Sequence, residues 1–450
     1  MDAFVIEGGQ RLDGTLRVHG SKNAALPQLA AALLTDQPLT LRDVPELADI
    51  QNMTKLLADL GCSAQRDGDA IRAQTQDQSQ VHARYDVVRT MRAGICVLGP
   101  ILARRGRARV SMPGGCAIGD RPIDIHLRGL EALGAAITLE NGDIVAEVPG
   151  GRLRGATVFL GGPFGPTVLG TANVMSAATL ARGTTIIESA ACEPEIADLA
   201  KLLNAMGAKI SGAGTPRVTI IGVDELGAAD HRVIPDRIEA GTFLCAAAIT
   251  NSDLRVTNCP VDALLAAIDR LERIGVHVEV ENPSDPFRAT CRVYAERSLR
   301  PVEISTQPHP GFPTDLQAQF MALLTLADGN SVITERIFPE RFLHVPELSR
   351  MGAKLMRQGA TVVVTGVREL VGAPVMASDL RASAGLVLAA LAARGTTIIN
   401  RVYHLDRGYE RLEERLRGVG AKIERIDTSA VSESAAPMIT VRPIGEPAHA

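Results

Sequence analysis

The segment ARVSMPGGCAIGDRPIDIH holds more potential chemistry than any other stretch of this 450-residue sequence. Pro113, Gly114, Gly115 and Gly119 loosen the backbone around Cys116, and Arg121, five residues on, favours a thiolate and can bind an anion. The pattern predicts a mobile lid carrying a reactive cysteine; the bland alternative is a turn followed by a small buried thiol. Two carboxylates stand at predicted helix starts, Asp315 in FPTDLQAQF and Asp379 in ASDLRASAG. Each is either a plain cap or a general base poised in a cleft.

Basic residues gather at similar helix starts: Lys22, Arg89, Arg92, Arg237 and Arg381. Free amides and aligned peptide dipoles favour anions at such ends, so the set points to a cleft for negatively charged groups. Taken singly, each is equally well a surface charge or a carboxylate partner. Arg341 and His344 in PERFLHVPEL, Glu193 in CEPEI and Arg407 in HLDRGYERL complete the candidates.

The elements that must position these residues repeat along the chain. A Leu, Met, Ile or Val directly precedes Gly61, Gly134, Gly207, Gly275, Gly352 and Gly420, about 70 residues apart, each closing a helical pattern. In the first copy Ile50, Met53, Leu56, Leu57 and Leu60 share one helical face, and Gly61 reads as a left-handed cap before a strand. Six β-rich runs, LTLRDV, ARVSMP, TTIIES, LRVTNC, SVITER and TTIINR, lie upstream of these helices. Before each run stands an Ala- and Leu-rich helix, starting near Ser21, Asp86, Thr167, Asp236, Thr314 or Ser378.

Helices this apolar all round belong in an interior, so the six are expected as bundles inside sheets that carry the amphipathic helices outside. The fold class is α/β: two similar domains, each of three βαβαββ-like repeats around buried helices, an inside-out α/β barrel. The division places residues 22–234 in the first domain and 1–21 with 235–427 in the second. The tail 428–450 is small and polar and reads as a partly disordered appendage.

Composition excludes several other functions. A net charge of −4 argues against a broad electrostatic grip on nucleic acid, and four Tyr, nine Phe and no Trp make a base-stacking platform a poor reading. Seven cysteines without two-residue spacing suggest neither a disulfide framework nor a zinc ribbon. No apolar run approaches the roughly 20 residues of a membrane span, and the opening lacks a signal pattern, so a cytoplasmic, unanchored protein is expected. GxGxxG, a P-loop Gly-Lys, HExxH and GxSxG are all missing from the sequence.

SKNAALP, RTMRAG, PGGCAIGDRPIDIHLRGLEALGA, EPEI, IPDRIEAGTF, PHPGFPTDLQAQF, RFLHVPEL, DLRASA and YHLDRGYERL, in this order over residues 1 to 427, resemble the UDP-N-acetylglucosamine 1-carboxyvinyltransferase family of enolpyruvyl transferases. The resemblance implies two domains closing on substrate like a clam. It implies transfer of the enolpyruvyl group of phosphoenolpyruvate to the 3-hydroxyl of UDP-N-acetylglucosamine, with no metal or organic cofactor, no nucleic acid, no membrane insertion and no obligate protein partner. The family's step opens peptidoglycan precursor synthesis.

By motif, Lys22 and Asn23 match the family's SKN, where the lysine meets phosphoenolpyruvate, and Arg121 and Arg407 match arginines that help hold its phosphate and carboxylate. Arg92 and the run Arg121, Pro122, Ile123, Asp124 and Ile125 match the lining of the UDP-sugar site, with Asp315 and Ile337 added from the second domain. Cys116 matches the cysteine that donates a proton to the enol carbon, and Asp315 the base near the attacking hydroxyl, with Asp379 and Arg381 in support; Arg341 is counted among the substrate-binding residues. Where the family commonly reads Ser-Val-Gly at the uridine contact, this chain reads Thr167, Val168, Leu169 and Gly170 after GGPFGP. Shikimate-type enolpyruvyl transferases would not supply the PGGC lid followed by DRPIDIH. A non-catalytic UDP-sugar-binding paralogue would lack Cys116, Lys22 or Asp315, and all three are present.

Overall fold

All six glycines that close the amphipathic helices have left-handed backbones, from φ 76° at Gly61 to φ 106° at Gly207. A residue with a Cβ is strained there, so each glycine lets the chain reverse from helix into strand without steric cost. The computed structural model describes residues 2–113, 123–282, 284–295 and 298–427. Cys116, Arg121, Pro122 and the tail after Asp427 lie outside them.

The six β-rich runs are strands, and each lies inside a four-stranded sheet of one plan. Leu39–Arg42 pairs parallel with Ala229–Arg232 on one side and antiparallel with Ala70–Thr75 on the other, which in turn pairs with Cys62–Asp67. The sheets built on Arg107–Ser111, Thr184–Glu188, Asp253–Cys259, Asn330–Thr334 and Thr396–Asn400 repeat this order of one parallel and two antiparallel pairings.

Strands distant in sequence complete three of the sheets. Asp2–Glu7 stands between Thr396–Asn400 and Lys422–Asp427, and Asp13–Arg17 adds the parallel edge to Asp253–Cys259. Ala229–Arg232 closes the first sheet. Apolar burial forms two clusters: one draws on residues between Ala24 and Ile234, the other on Phe4 to Val18 and Ile238 to Ile423. The chain crosses between them twice, side by side, where Gly20 bridges Pro235 and Asp236 N–H donates to the His19 carbonyl at 2.8 Å. A Cβ on Gly20 would lie 1.8 Å from the Asp43 carbonyl oxygen, so this crossing accepts only glycine.

Six inner helices fill the two interiors: Lys22–Ala30, Leu98–Arg105, Val168–Ala178, Arg237–Ile249, Gln317–Leu324 and Leu380–Ala392. They pack backbone to backbone where glycine allows. Gly99 N–H donates to Asn173 Oδ1 at 2.6 Å, and a Cβ on Gly99 would stand 2.3 Å from the Asn173 carbonyl. Three of the amphipathic helices depart from the expected place outside the sheets. Ala48–Asp59, Asp124–Ala132 and Pro194–Ala205 lay their apolar faces on inner helices and so share the outer layer with the sheets.

Three of the expected helix starts shift. Asp86 lies in the isolated turn Tyr85–Val88, and the inner helix of that unit begins only after the 3₁₀ stretch Arg92–Val97, with no side-chain cap. Thr314 opens a 3₁₀ turn and spends its hydroxyl on Glu335 Oε2 (2.9 Å), so it caps nothing. Asp379, not Ser378, caps Leu380–Ala392, accepting from the amides of Arg381 and Ala382. Ser21, Thr167 and Asp236 are caps as read. No helix among the described residues is long and apolar enough to cross a membrane.

Candidate active site

The starts of the inner helices at Lys22, Arg237, Asp315 and Arg381 meet where the two halves of the molecule face each other. Ser21 caps the first helix and leaves Lys22 buried, its Nζ donating to Asp49 Oδ2 at 3.0 Å. Asp49 comes from the first turn of Ala48–Asp59, and from the other half Arg407 Nε donates to its second oxygen at 2.9 Å. Burial pulls the Lys22 amine below its ordinary value; Asp49 opposes this, and the Arg381 and Arg407 charges add to it. Burial alone would raise the Asp49 carboxyl, but Lys22 and Arg407 hold it down. One carboxylate thus links cations from both halves.

Asp315 lies in the turn before Gln317–Leu324 and makes no cap. Arg341 Nη1 donates to Oδ1 at 2.7 Å and Arg381 Nε to Oδ2 at 3.3 Å. Against the burial that would raise it, these two guanidiniums keep the Asp315 carboxyl far below the usual carboxylate range, so it is ionised at any working pH. Arg381 is itself buried and donates to the Tyr409 hydroxyl (3.3 Å), which contacts Thr242 Oγ1 (2.9 Å) and accepts from Gln319 (3.3 Å). Asp315 therefore sits at the end of a connected polar network rather than on a free loop.

A second pairing crosses the halves. Arg237 Nε donates to Glu195 Oε1 at 3.0 Å, and the His309 amide approaches Glu193 Oε1 at 3.4 Å. Burial pushes the Glu193 carboxyl up, with Arg237 only partly offsetting it. Asp379 is half-buried and capped onto its own helix, with His344 and His404 within electrostatic reach. Burial lowers His344 to about 4, which leaves a neutral imidazole there.

The other sequence candidates surround this cluster or lie apart from it. Asn23 follows Lys22 in the first turn and is half-buried, as is Arg92 at the start of its 3₁₀ stretch. Ile123 is buried, Asp124 is exposed as the first residue of Asp124–Ala132, and Ile125 packs on the hairpin that ends at Pro166. Thr167 accepts from the Gly170 amide, ahead of Val168, and Gly165 abuts Pro308 of the other half. Ile337 N–H donates to Glu335 Oε1 at 2.8 Å. Arg89 does not join; it is exposed over the Tyr85 ring. Cys116, Arg121 and Pro122 are outside the described residues.

Sequence reading missed Asp49, Glu195, Thr242, Gln319 and Tyr409. Asp49 and Glu195 look like ordinary dipole-favoured acids in the first turn of a helix, and only the approach of the other half reveals their partners. A cavity of about 400 Å³ lined by Arg17, His19, Glu410 and Arg415 lies apart, by the crossing strands, where Arg17 and Arg415 are taken by Asp43 and Glu239. The described residues hold no group of three or more His, Cys, Asp or Glu able to bind a metal.

A family described as EPSP synthase (3-phosphoshikimate 1-carboxyvinyltransferase) matches residues 6–416. The UDP-N-acetylglucosamine 1-carboxyvinyltransferase of Solibacter usitatus is 53% identical over 95% of this chain and 100% of its own length. That of Anaeromyxobacter sp. is also 53% identical, over 94% and 99%. Among solved structures, the enolpyruvyl transferase NikO from Streptomyces tendae superposes with a TM-score of 0.83 at 26% identity, covering 94% of this chain and 98% of that one. The EPSP synthase of Acinetobacter baumannii shares the fold, with a TM-score of 0.74 at 17% identity over 95% and 100%.

Proposed function

The chain belongs to the EPSP synthase family of enolpyruvyl transferases, and on that premise we propose that it moves the enolpyruvyl group of phosphoenolpyruvate to the 3-hydroxyl of UDP-N-acetylglucosamine. Phosphate is released, and the product feeds peptidoglycan synthesis, in the cytoplasm where both substrates are found. The observation that carries the reading is the convergence of Lys22 and Arg407, one from each half, on a single carboxylate of Asp49. Cations held together in this way suit a small, multiply charged anion, which completes their neutralisation when the halves meet.

In this mechanism the sugar oxygen attacks C2 of phosphoenolpyruvate while Cys116 gives a proton to C3. In the elimination C3 gives a proton back to the Cys116 thiolate, the bond from C2 to the phosphate oxygen breaks, and its electron pair leaves with phosphate. Lys22, Asn23, Arg121 and Arg407 hold the phosphate and carboxylate. Arg92, Pro122, Ile123, Asp124, Ile125, Thr167, Val168 and Ile337 line the UDP-sugar. Asp315 accepts the hydroxyl proton. A carboxylate so strongly held by Arg341 and Arg381 is a weak base toward a free alcohol, but the alcohol becomes a strong acid as its oxygen bonds to carbon. Transfer to Asp315 therefore belongs late in the addition step. Asp379 supports by fixing the turn that presents Arg381.

The test is phosphate release from phosphoenolpyruvate with each acceptor in turn. Turnover on UDP-N-acetylglucosamine and none on 3-phosphoshikimate is expected. The second acceptor is the alternative, disfavoured by the relatives of 53% identity that are named for the UDP-sugar, and the opposite preference would decide for it.

A further inference from the structure

Two carboxylate oxygens in the wall between the halves are buried and have no partner. Glu193 and Glu195 flank Pro194, which fixes the first turn of Pro194–Ala205 and aims both side chains out of the first half. Glu193 is 9% exposed and Glu195 4%. Arg237 satisfies only Oε1 of Glu195, and the His309 amide gives Oε1 of Glu193 one long bond at 3.4 Å. Oε2 of each accepts nothing. Such acceptors are rare because burial removes their water without replacing it, so a pair two residues apart, facing one arginine, asks for donors from outside.

The chemistry of those donors is narrow. A phosphate or carboxylate would be repelled by the carboxylates. A divalent cation would compete with the Arg237 guanidinium already on Glu195 and would find too few ligands. Neutral O–H groups remain. On the proposed function, from which this inference starts, phosphoenolpyruvate carries no hydroxyl, while the amino sugar carries two besides the reacting one. Arg237 is hydrogen-bonded to Glu195 at 3.0 Å, and its charge also acts, more weakly, on Glu193 and Asp315, so the carboxylates border the place where the reacting hydroxyl must sit.

We propose that Glu193 and Glu195 form an acceptor subsite for the non-reacting hydroxyls of the sugar, with Arg237 as the positioning residue that orients Glu195. The subsite sorts the two substrates: it draws the sugar ring to the face of the first half and turns the anionic substrate toward Lys22 and Arg407. It also sets the rotation of the ring, and with it the aim of the 3-hydroxyl at Asp315.

The experiment compares UDP-N-acetylglucosamine with its 4-deoxy and 6-deoxy analogues in the native protein and in Glu193→Gln and Glu195→Gln. Loss of a hydrogen bond to a charged acceptor predicts that native kcat/KM falls about 10-fold or more for at least one analogue. The matching variant should lose as much on the parent sugar and nothing further on that analogue, while KM for phosphoenolpyruvate moves less than about 2-fold. The native comparison needs no variant and stands even if a variant fails to fold. No deoxy penalty in the native enzyme, or one that persists unchanged in both variants, overturns the subsite. An equal rise in KM for both substrates also overturns it, since a mere latch between the halves would act on both. Absence of native turnover on UDP-N-acetylglucosamine overturns the proposed function, and the subsite with it; turnover without a deoxy penalty overturns the subsite alone.

Discussion

Replacing Asp315 by Asn separates chemistry from packing, because the structure gives this residue two arginines and no helix to cap. Asn keeps the size and one acceptor but removes the charge that Arg341 (2.7 Å) and Arg381 (3.3 Å) share. Arg381 is 2% exposed and Arg341 6%, so the variant leaves two buried cations short of an anion. Breaking one side of such a pair costs about 3 kcal/mol, at the low end here because the Asp315 side chain is 26% exposed. Stability should therefore fall, which a capping aspartate would not show, since Asn caps about as well. The sign with pH follows from the depressed carboxyl: this contribution is present above the unfolded value of 3.8 and is lost only as pH drops below it, so the variant should lack that acid-dependent loss. Turnover should fall by about 10²-fold or more if Asp315 takes the hydroxyl proton. Gly99→Ala is the control: it lowers stability by crowding the Asn173 carbonyl inside one half, leaves the Asp315 carboxylate and its arginines in place, and should keep most of the turnover. The assays are phosphate release at saturating substrates and urea unfolding at several pH values. Turnover within about 3-fold of native alongside the loss of stability would refute the role of base and leave a structural ion pair.

The remaining predictions concern other sites. Of the described cysteines, Cys62, Cys96, Cys245, Cys259 and Cys291 are buried and Cys192 is half-buried. Burial pushes the Cys96 thiol up to about 12, so an epoxide should add once, at Cys116, as peptide mass spectrometry would show; an adduct confined to Cys192 contradicts the reactive-thiol reading. His344, lowered to about 4 by burial, contributes stability above its unfolded value of 6.5 and loses it as pH falls toward 4, a difference of about 3 kcal/mol. His344→Gln should flatten the urea midpoint between those pH values, and an unchanged slope would assign the acid loss elsewhere. Gly99→Ala places a methyl 2.3 Å from the Asn173 carbonyl and should cost about 3 kcal/mol or more by urea unfolding; native stability would mean the inner helices separate easily.

Much of the fold was legible because its determinants are local. A left-handed turn after an amphipathic helix requires glycine, and the same requirement at Gly61, Gly134, Gly207, Gly275, Gly352 and Gly420 exposes the period without any long-range information. β-branched runs and all-apolar helices likewise announce strands and interiors. Errors arose where a local rule had a distant competitor. Thr314 looks like a cap, but Glu335, just past the strand Asn330–Thr334, claims its hydroxyl. Asp86 looks like a cap, but the inner helix of its unit starts 12 residues later, at Leu98. The sequence by itself determined which residues are basic, acidic or nucleophilic and which helix ends they occupy. Only the tertiary structure decided that Asp49 joins Lys22 to Arg407, that Glu195 receives Arg237, and that Asp315 lies between two arginines. The physical reason is distance along the chain: Asp49 and Arg407 are 358 residues apart, and their ion pair exists only where two separately packed interiors are brought face to face.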